Sequence, residues 1–144
     1  MPTAAALMTR KSAELITVSP SSMVLDAVDL MNTRHIGSVV VVEGERLVGI
    51  FTERDLLRRV VARRLDPAVI PIESVMTTAV VVARPETPLN EVGFVMRERD
   101  IRHMPVVDAD QRVIGLVSIG DLNKSTIGQD ERTVRYFESY SPQG

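Results

Sequence analysis

The stretch Gly49-Ile50-Phe51-Thr52-Glu53-Arg54-Asp55-Leu56 decides the fold of this chain, because residues 115–122 repeat its pattern as Gly-Leu-Val-Ser-Ile-Gly-Asp-Leu. Each copy contains a glycine, two apolar residues typical of a strand, a hydroxyl residue, and an aspartate three positions later. A hydroxyl and a carboxylate at this spacing are typical of the first turn of a helix, where backbone N–H groups lack intrahelical partners. Each copy therefore predicts a strand that leads directly into a helix.

The repeated turn has two interpretations. It is either a capping box, in which hydroxyl and carboxylate each accept from the other residue's backbone N–H, or a ligand site. A helix N-terminus suits an anionic ligand, and a carboxylate accepts hydrogen bonds from sugar hydroxyls. One carboxylate can do both, and the repetition in register favours the ligand interpretation for Asp55 and Asp121.

The repetition extends over most of the chain, with an offset of 65 residues before the hairpin turn and 66 after it. An extra residue in a turn is typical of a structural repeat. A unit of about 60 residues is marginally stable alone, so we expect the two copies to pack sheet to sheet around a pseudo-twofold axis. The matched positions include Pro20 and Pro85, Met31 and Met96, Ile36 and Ile101, and Gly49 and Gly115.

Within each copy the pattern predicts an α/β (α+β) unit of the order β-α-β-β-α. The first helices are expected to begin at the serines 21–22 and at Thr87 followed by Pro88. Strands are predicted over 38–42, 47–51, 104–107 and 113–117, and closing helices over 55–65 and 121–127. The predicted buried helix faces are Val24, Ala27, Val28 and Met31 in one copy and Leu89, Val92, Gly93 and Met96 in the other.

These patterns divide the 144 residues into three parts: a first repeat with its arm and linker (1–70), a second repeat (71–127) and a helical tail (128–144). The composition is 44% apolar and 25% charged, as in ordinary globular proteins. No apolar run reaches the roughly 20 residues that cross a bilayer, and the N-terminus lacks the features of a signal peptide. We therefore expect a cytoplasmic protein without a membrane partner.

Composition also argues against several functions. The formal net charge of −2 gives no general attraction to nucleic acid, and no helix-turn-helix segment is apparent. The chain has no cysteine and only two histidines, His35 and His103, without carboxylate clusters at metal-ligand spacing. No set of nucleophile, base and orienting group can be nominated. The sequence predicts neither an enzyme, a catalytic cofactor nor a metal site.

The combined pattern resembles the CBS domain, the cystathionine-β-synthase-type module. The residues that carry the resemblance are the prolines, the Met-x4-Ile spacing, Pro-Val-Val-Asp at 105–108, and Val-Ile-Gly-Leu-Val-Ser-x-x-Asp-Leu at 113–122. The resemblance covers roughly residues 6 to 127 and indicates a tandem pair, or Bateman module. It implies clefts between the repeats that bind adenosine-containing ligands, most often AMP, ADP or ATP, and in some members NAD(H) or S-adenosylmethionine.

The resemblance also implies roles for individual residues. Asp55 and Asp121 would hold the ribose, with help from Thr52 and Ser118, while Arg102 and His103 would face phosphate. Adenine would lie among apolar residues of the first strand and the hairpin, which here are Val18, Ile36, Ile50, Val82, Ile101 and Leu116. The first copy adds Arg54 and Ser38 to the candidate ligand-binding residues.

The copies differ in charge. Arg102-His103 of the second copy corresponds to Gly37-Ser38 of the first, and Arg54 of the first corresponds to Gly120 of the second. The phosphate-binding charge is unevenly distributed, so the two sites are not expected to be equivalent. The remaining arginines of residues 58–64 are interleaved with apolar residues and are predicted to form a solvated helix face.

The tail carries three of the five aromatic residues, Tyr136, Phe137 and Tyr140. Aromatic residues commonly anchor interfaces, and tandem CBS pairs commonly form twofold dimers. We therefore expect a homodimer with residues 129–140 at or beside the interface; the alternative is a tail that folds back on its own subunit.

The predicted function is that of a regulatory sensor of AMP, ADP or ATP that acts on an unidentified protein effector. The alternatives are a ligand-independent dimerisation module and a sensor of NAD(H) or S-adenosylmethionine.

Overall fold

Matching hairpins end at the two copies of the motif, and the fold is mixed α/β as predicted. The computed structural model describes residues 2–10 and 15–127, so the predicted helical tail lies outside the described residues. In chain order the elements are α1 (Ala4–Arg10), β1 (Thr17–Val18), α2 (Val24–Arg34), β2 (Ser38–Glu43), β3 (Arg46–Thr52), α3 (Glu53–Asp55) continued by a π-helix (Leu56–Val61), a 3-10 turn (Ile72–Ser74), α4 (Leu89–Arg99), β4 (His103–Val107), β5 (Val113–Ser118) and α5 (Ile119–Ile127).

The sheets repeat the same register. In the first, β1 is parallel to β2 and β2 is antiparallel to β3; in the second, β4 and β5 are antiparallel. In the second repeat a single parallel bridge between Ala83 and Val106 takes the position that β1 has beside β2 in the first. Ser38 lies opposite Thr52, and His103 lies opposite Ser118. Each motif hydroxyl therefore faces the first residue of the preceding strand.

The predicted helix faces are confirmed except that Val28 and Gly93 are only half-buried, but the predicted caps are wrong. Residues Val24, Ala27 and Met31 of α2 and Leu89, Val92 and Met96 of α4 are buried. The N-cap positions are Met23 and Pro88, without a side-chain cap in either helix. The hydroxyls of Ser22 and Thr87 accept instead from the backbone N–H groups of Ser19 and Arg84, at 3.2 and 2.9 Å. They close the turn before the helix, which is the competing use of such hydroxyls.

Each of the two cores contains a segment from outside its own helix and hairpin. Ala4 and Leu7 of α1 are buried in the core of α4, β4 and β5. Ile72 and Val75, from the segment after the first repeat, are buried in the core of α2, β2 and β3. Backbone hydrogen bonds fix both segments: Ala4 N–H donates to Thr87 O at 2.9 Å, and Ile72 N–H donates to Ser22 O at 2.7 Å. The segment that leads into each repeat thus packs in the other one.

The glycines of the motif make room for these exchanged segments. A Cβ atom on Gly49 would lie 2.5 Å from Met76 Sδ, and one on Gly115 would overlap Met8 Sδ. Met8 and Met76 occupy equivalent places before their repeats. A side chain at either glycine would displace the methionine that covers the strand.

Each hairpin packs one face on the core of its own repeat. The opposite face, called the inner face below, is turned toward the other repeat. Val39, Val41 and Phe51 belong to the first core, so Ser38, Ile50 and Thr52 lie on the opposite face by strand alternation. By the same rule His103, Leu116 and Ser118 lie on the inner face of the second hairpin, since Met104, Val106 and Val117 belong to the second core.

A twofold relation between the repeats follows from the pairing of equivalent residues. Arg46 and Arg112, which are separated by the motif offset, form an antiparallel bridge with each other. Val113 N–H donates to Glu45 O at 3.0 Å beside it. Self-pairing of one position occurs where a twofold axis passes. No helix in the described part of the chain has the length and apolar character needed to cross a membrane.

Candidate functional site

Both hydroxyl-x-x-Asp turns are capping boxes at the inner edges of the facing hairpins. Thr52 Oγ1 accepts from Asp55 N–H at 3.2 Å, and Asp55 Oδ2 accepts from Thr52 N–H at 3.1 Å. In the second copy, Ser118 Oγ accepts from Asp121 N–H at 3.1 Å and Asp121 Oδ2 accepts from Ser118 N–H at 3.0 Å. The boxes fix both carboxylates at a strand–helix junction, beside the cleft between the repeats.

The Asp55 carboxylate makes further contacts. Thr77 Oγ1 donates to its two oxygens at 3.1 and 3.3 Å, and Arg59 Nε lies 3.6 Å from Oδ1. Asp55 is only 7% exposed. A buried carboxylate is stable when it is paired with a cation and hydrogen-bonded, and Asp55 meets both conditions within the protein.

Arg59 is a site residue that the sequence pattern does not reveal. The pattern predicts a solvated face, but Arg59 Nη1 donates to the carbonyl of Met76 at 2.9 Å and lies 3.5 Å from that of Val75. It therefore joins the motif helix to residues 72–76, the segment that fills part of the first core. The signal that could have found it is its position four residues after Asp55 on a helix, where opposite charges meet.

Arg54 points to the other repeat. Its Nη1 donates to the backbone carbonyl of Asp100 at 2.6 Å and lies 3.5 Å from Asp100 Oδ2. Asp100 adopts a left-handed conformation (φ 52°) at the end of α4. Arg54 thus bridges the two repeats in this structure, and its equivalent Gly120 has no side chain to do so.

Gly37 marks the place where the repeats approach each other near the motif. A Cβ atom there would lie 2.6 Å from Glu53 Oε1 and 3.2 Å from Nε2 of His103. The His103 ring thus lies across the cleft from its own repeat, against the first one. Arg102, one residue earlier, is exposed, and its carbonyl accepts from Ile119 N–H at 2.8 Å.

Ser38 is the exception among buried polar side chains of the described residues. It is 2% exposed and its hydroxyl has no hydrogen-bond partner there. Its side chain lies on the inner face of β2, opposite Thr52. Since nearly all buried hydroxyls in proteins are hydrogen-bonded, this group makes the inner face of β2 a candidate contact for a ligand.

The six residues expected around adenine divide into two groups. Val18 and Ile36 pack against the first core and Ile101 against the second. Ile50 and Leu116 lie on the inner faces of the hairpins, and Val82 is half-buried beside the bridge residue Ala83. The structure therefore places Ile50 and Leu116 on the inner faces of the hairpins and packs Val18 and Ile101 against the cores, while Ile36 both contacts the first core and lines a cavity.

One cavity is formed by the first repeat and a second by the hairpin tips of both repeats. The first, of about 330 Å³, lies between the end of α2 and the start of α3; the other, of about 400 Å³, lies at the hairpin tips. The first is lined by Val28, Met31, Asn32, His35, Ile36, Gly37, Glu53 and Leu56. Its edge at Ile36, Gly37 and Glu53 adjoins the first motif. Among the described residues no group of three His, Asp or Glu side chains is arranged to hold a metal ion.

An ion-pair network closes the hairpin tips. Arg112 contacts Asp108 and Asp110 at 3.1 Å each and Glu45 of the first repeat at 3.8 Å. A hydrogen bond from the backbone N–H of Arg112 lowers the pKa of Asp108 below its ordinary value of 3.8. The charge of Asp108 in turn raises the pKa of Arg112.

The fold, the duplicated motif and the cleft define a tandem CBS-domain protein. The CBS domain family model matches residues 4–62 and 72–127, and the chain belongs to this family. It is 34% identical over 109 residues to the CBS domain-containing protein YhcV of Bacillus subtilis, an alignment that covers 76% of each chain.

Solved structures have the same fold. A protein with CBS domains from Burkholderia ambifaria MC40-6 is 36% identical, with a TM-score of 0.84 over 90% of this chain and 97% of that one. The CBS domain pair of protein MJ0100 in complex with 5′-methylthioadenosine and S-adenosyl-L-methionine is 25% identical, with a TM-score of 0.79 over 90% and 98% of the two chains.

Proposed function

We propose that this protein is a non-catalytic regulator that binds an adenosine-containing ligand, with AMP, ADP or ATP as the preferred class, in the clefts between its repeats. The observation that carries the proposal is the pair of hydroxyl-x-x-Asp boxes at the inner edges of the two hairpins. Each presents a carboxylate at a helix N-terminus. Vicinal ribose hydroxyls are donors that a carboxylate accepts, and the helix N-terminus favours a nearby phosphate.

The buried hydroxyl of Ser38 supports a ligand on the inner face. An unmade hydrogen bond on a buried group costs about 1–3 kcal/mol, which a ligand atom in the cleft would recover. Ile50 on the same face offers apolar contact for a base. The MJ0100 pair, with its methylthioadenosine and S-adenosylmethionine, makes an adenosine group the first ligand to test.

A phosphate group is favoured over a sulfonium by the guanidinium of Arg102 and by the hydrogen-bonding imidazole of His103 in the second repeat. Arg102 is exposed before β4, and His103 reaches the first repeat at Gly37. A positive charge near the motifs would attract the phosphates of a nucleotide bound in the cleft. Affinity for AMP should therefore fall with salt, and it should exceed affinity for adenosine.

Regulation requires a partner that distinguishes the occupied from the empty state. We infer that this partner is reached through a homodimer whose contacts include exposed apolar helix residues. Leu57 and Val61 on the helix after the first motif are 62% and 60% exposed, and Phe94 on α4 is 54% exposed. Apolar side chains clustered on helix surfaces are typical of interfaces. A protein effector would then sense a change in the relative tilt of the repeats.

The function is tested by thermal unfolding and calorimetry with AMP, ADP, ATP, NADH and S-adenosylmethionine, with GMP and adenosine as controls. Ligand at about 100 times its Kd should add about 2.7 kcal/mol to the free energy of unfolding. Stabilisation by AMP and not by GMP or adenosine supports the proposal. Stabilisation by S-adenosylmethionine alone would establish the alternative ligand, and a panel without effect would refute the sensor.

A second candidate is a ligand-independent dimerisation module. The observation that favours it is Asp55, whose carboxylate is already paired with Arg59 and Thr77 inside the protein. In that case both capping boxes are purely structural. Dimerisation without any nucleotide effect would support it.

A further inference from the structure

We propose that Asp100 is a specificity-determining residue for the cleft at the first motif, because it holds Arg54 and only a ligand with a phosphate group draws the guanidinium away. The inference rests on the proposed function for its ligand, an adenosine nucleotide. It deepens that function by naming the residue of the second repeat that responds when the first motif is occupied. Arg54 and Asp100 belong to different repeats, so an exchange of partners couples occupancy to the contact between repeats.

Arg54 is placed at the first motif and reaches the second repeat. It lies between Thr52 and Asp55, the two residues of the capping box, in the first turn of α3. Its Nη1 donates to the Asp100 carbonyl at 2.6 Å and lies 3.5 Å from Asp100 Oδ2. Both contacts use the same nitrogen of a guanidinium that has five N–H donors. A ligand held by the capping-box residues is therefore next in the chain to the side chain that joins the repeats.

The contact between Arg54 and Asp100 is exposed and is therefore easily exchanged. The side chains are 39% and 87% exposed, and ion pairs between exposed side chains contribute little to stability. A phosphate, in contrast, forms charge-assisted and often bidentate hydrogen bonds with a guanidinium. A nucleotide phosphate is thus a stronger partner for Arg54 than one carbonyl and one carboxylate oxygen at 3.5 Å. Adenosine has no group of this strength.

Release of Arg54 would affect the turn at the end of α4, because one peptide group makes two hydrogen bonds there. The Asp100 carbonyl accepts from Arg54, and the N–H of the same peptide unit, on Ile101, donates to Met96 O at 3.0 Å. Asp100 adopts a left-handed conformation in this turn (φ 52°). Hydrogen bonds at the two ends of a peptide group strengthen each other. Loss of Arg54 should therefore loosen the turn that leads into β4.

The equivalent turn of the first repeat is an internal reference. His35 corresponds to Asp100 and has φ 55°. A hydrogen bond of 3.0 Å joins the Ile36 N–H group to the last turn of α2, as in the second repeat. The residue that corresponds to Arg54 is Gly120, which has no side chain. The two turns therefore share their backbone geometry, and the sequence allows the arginine contact at only one of them.

Calorimetric titration of the full chain with AMP and with adenosine tests the inference. Asp100→Asn removes the charge and keeps a residue that tolerates the left-handed conformation. It should raise the affinity for AMP severalfold and leave that for adenosine unchanged. Arg54→Ala should lower the affinity for AMP roughly tenfold or more and that for adenosine far less. In the Arg54→Ala background, Asp100→Asn should no longer alter AMP binding.

The double variant distinguishes competition for Arg54 from simple repulsion of the ligand. If Asp100 acted only by repelling phosphate, Asp100→Asn would raise AMP affinity with or without Arg54, and the inference would be wrong. A parallel change of AMP and adenosine affinities in Arg54→Ala would also overturn it.

Arg58→Ala is the matched control. Arg58 is exposed on the π-helix that follows α3, and its replacement removes the same charge. It should leave the ratio of AMP to adenosine affinity unchanged. A change of this ratio as large as in Arg54→Ala would reduce the effect to net charge and refute the proposed role of Asp100.

Hydrogen exchange of the ligand-free protein tests the contact separately from the proposed function. Arg54→Ala should accelerate exchange of the Ile101 amide and leave the Ile36 amide unchanged, whereas Arg58→Ala should affect neither. Unchanged exchange at Ile101 in Arg54→Ala would overturn the inference even if AMP binds. If exchange accelerates as described but neither AMP nor adenosine binds, the contact remains, while the proposed function and the selectivity that rests on it fail.

Discussion

The two copies of the hydroxyl-x-x-Asp turn have the same backbone hydrogen bonds and different surroundings. In the first, the aspartate is buried and joined to Arg59 and Thr77; in the second, it is half-buried and followed four residues later by Ser125. Arg54 of the first copy reaches across to Asp100, while its counterpart is Gly120. Duplication preserves the local geometry that folding requires, and the neighbouring residues are then free to diverge. A shared motif therefore does not imply a shared role.

The largest expected effect comes from the exchanged segments. Ile72→Ala should lower the free energy of unfolding by about 2–5 kcal/mol, because Ile72 is fully buried in the first core although it lies at the start of the second repeat in sequence. Leu7 of α1 fills the second core in the same way and is 7% exposed. Leu7→Ala should therefore lower the free energy of unfolding by an amount nearer the lower end of the same range. Denaturant unfolding measures both. Ile70→Ala, at a half-buried neighbour, is the control, and a cost for Ile72→Ala no larger than this control would contradict the exchange.

An intermediate effect on stability is expected at the two motif glycines, Gly49 and Gly115. Gly49→Ala and Gly115→Ala should each cost about 1–3 kcal/mol, because the new methyl group meets Met76 or Met8. Met8→Ala should relieve Gly115→Ala in the double variant, since the three nearest atoms there all belong to Met8. Met76→Ala should relieve Gly49→Ala only in part, because the carbonyl of Thr77 lies 3.0 Å from the same Cβ position. Double-mutant cycles give the coupling energies, and equal rescue in the two copies would be the contrary result.

The smallest expected effect on stability concerns the ion pairs at the hairpin tips, where Arg112 of the second repeat contacts Glu45 of the first. The pKa of Asp108 is lowered in the folded protein, so its charged form contributes stability above its ordinary value of 3.8. That contribution is lost as the pH falls through the lowered pKa. The melting temperatures of the parent and Asp108→Asn should therefore differ slightly at neutral pH and converge below pH about 3.8. A difference that is constant from neutral pH to acid would show that the charge is not involved.

Local patterns predicted the repeats well, because hydrophobic periodicity and the in-register motif both report on burial. The buried faces of α2 and α4 and both hairpins follow from alternation and from helical spacing. The cap positions did not follow, since Ser22 and Thr87 had an equally short-range alternative in the turn before the helix. A hydroxyl just before a helix can cap the helix or close the preceding turn, and the sequence pattern alone does not choose between these two hydrogen bonds.

The parts of the site that the sequence does not reveal are set by contacts distant along the chain. Residues 66–71 contain two prolines and have the composition of a linker, but Ile72 and Val75 just beyond them fill a core, and Thr77 contacts Asp55. Arg59 belongs to a run of arginines that has the composition of a solvated face. Its contacts with Met76 depend on where the linker returns, and only the tertiary structure specifies that return. The unpaired hydroxyl of Ser38 is likewise visible only once its surroundings are placed.

The exchange of leading segments gives the molecule a mechanical property. A force applied at the N-terminus would first pull α1 from β5 and so open the second core, the repeat that is farther along the chain. Once α1 had detached, the load would reach β1, which is paired with β2 in the first repeat. The second repeat cannot be cut out as one continuous stretch of chain with its core complete, because residues 4–7 of that core lie ahead of the first repeat. The first core is complete only when residues 72–76 are kept with it. The pair is therefore the unit that can be transferred whole into another protein.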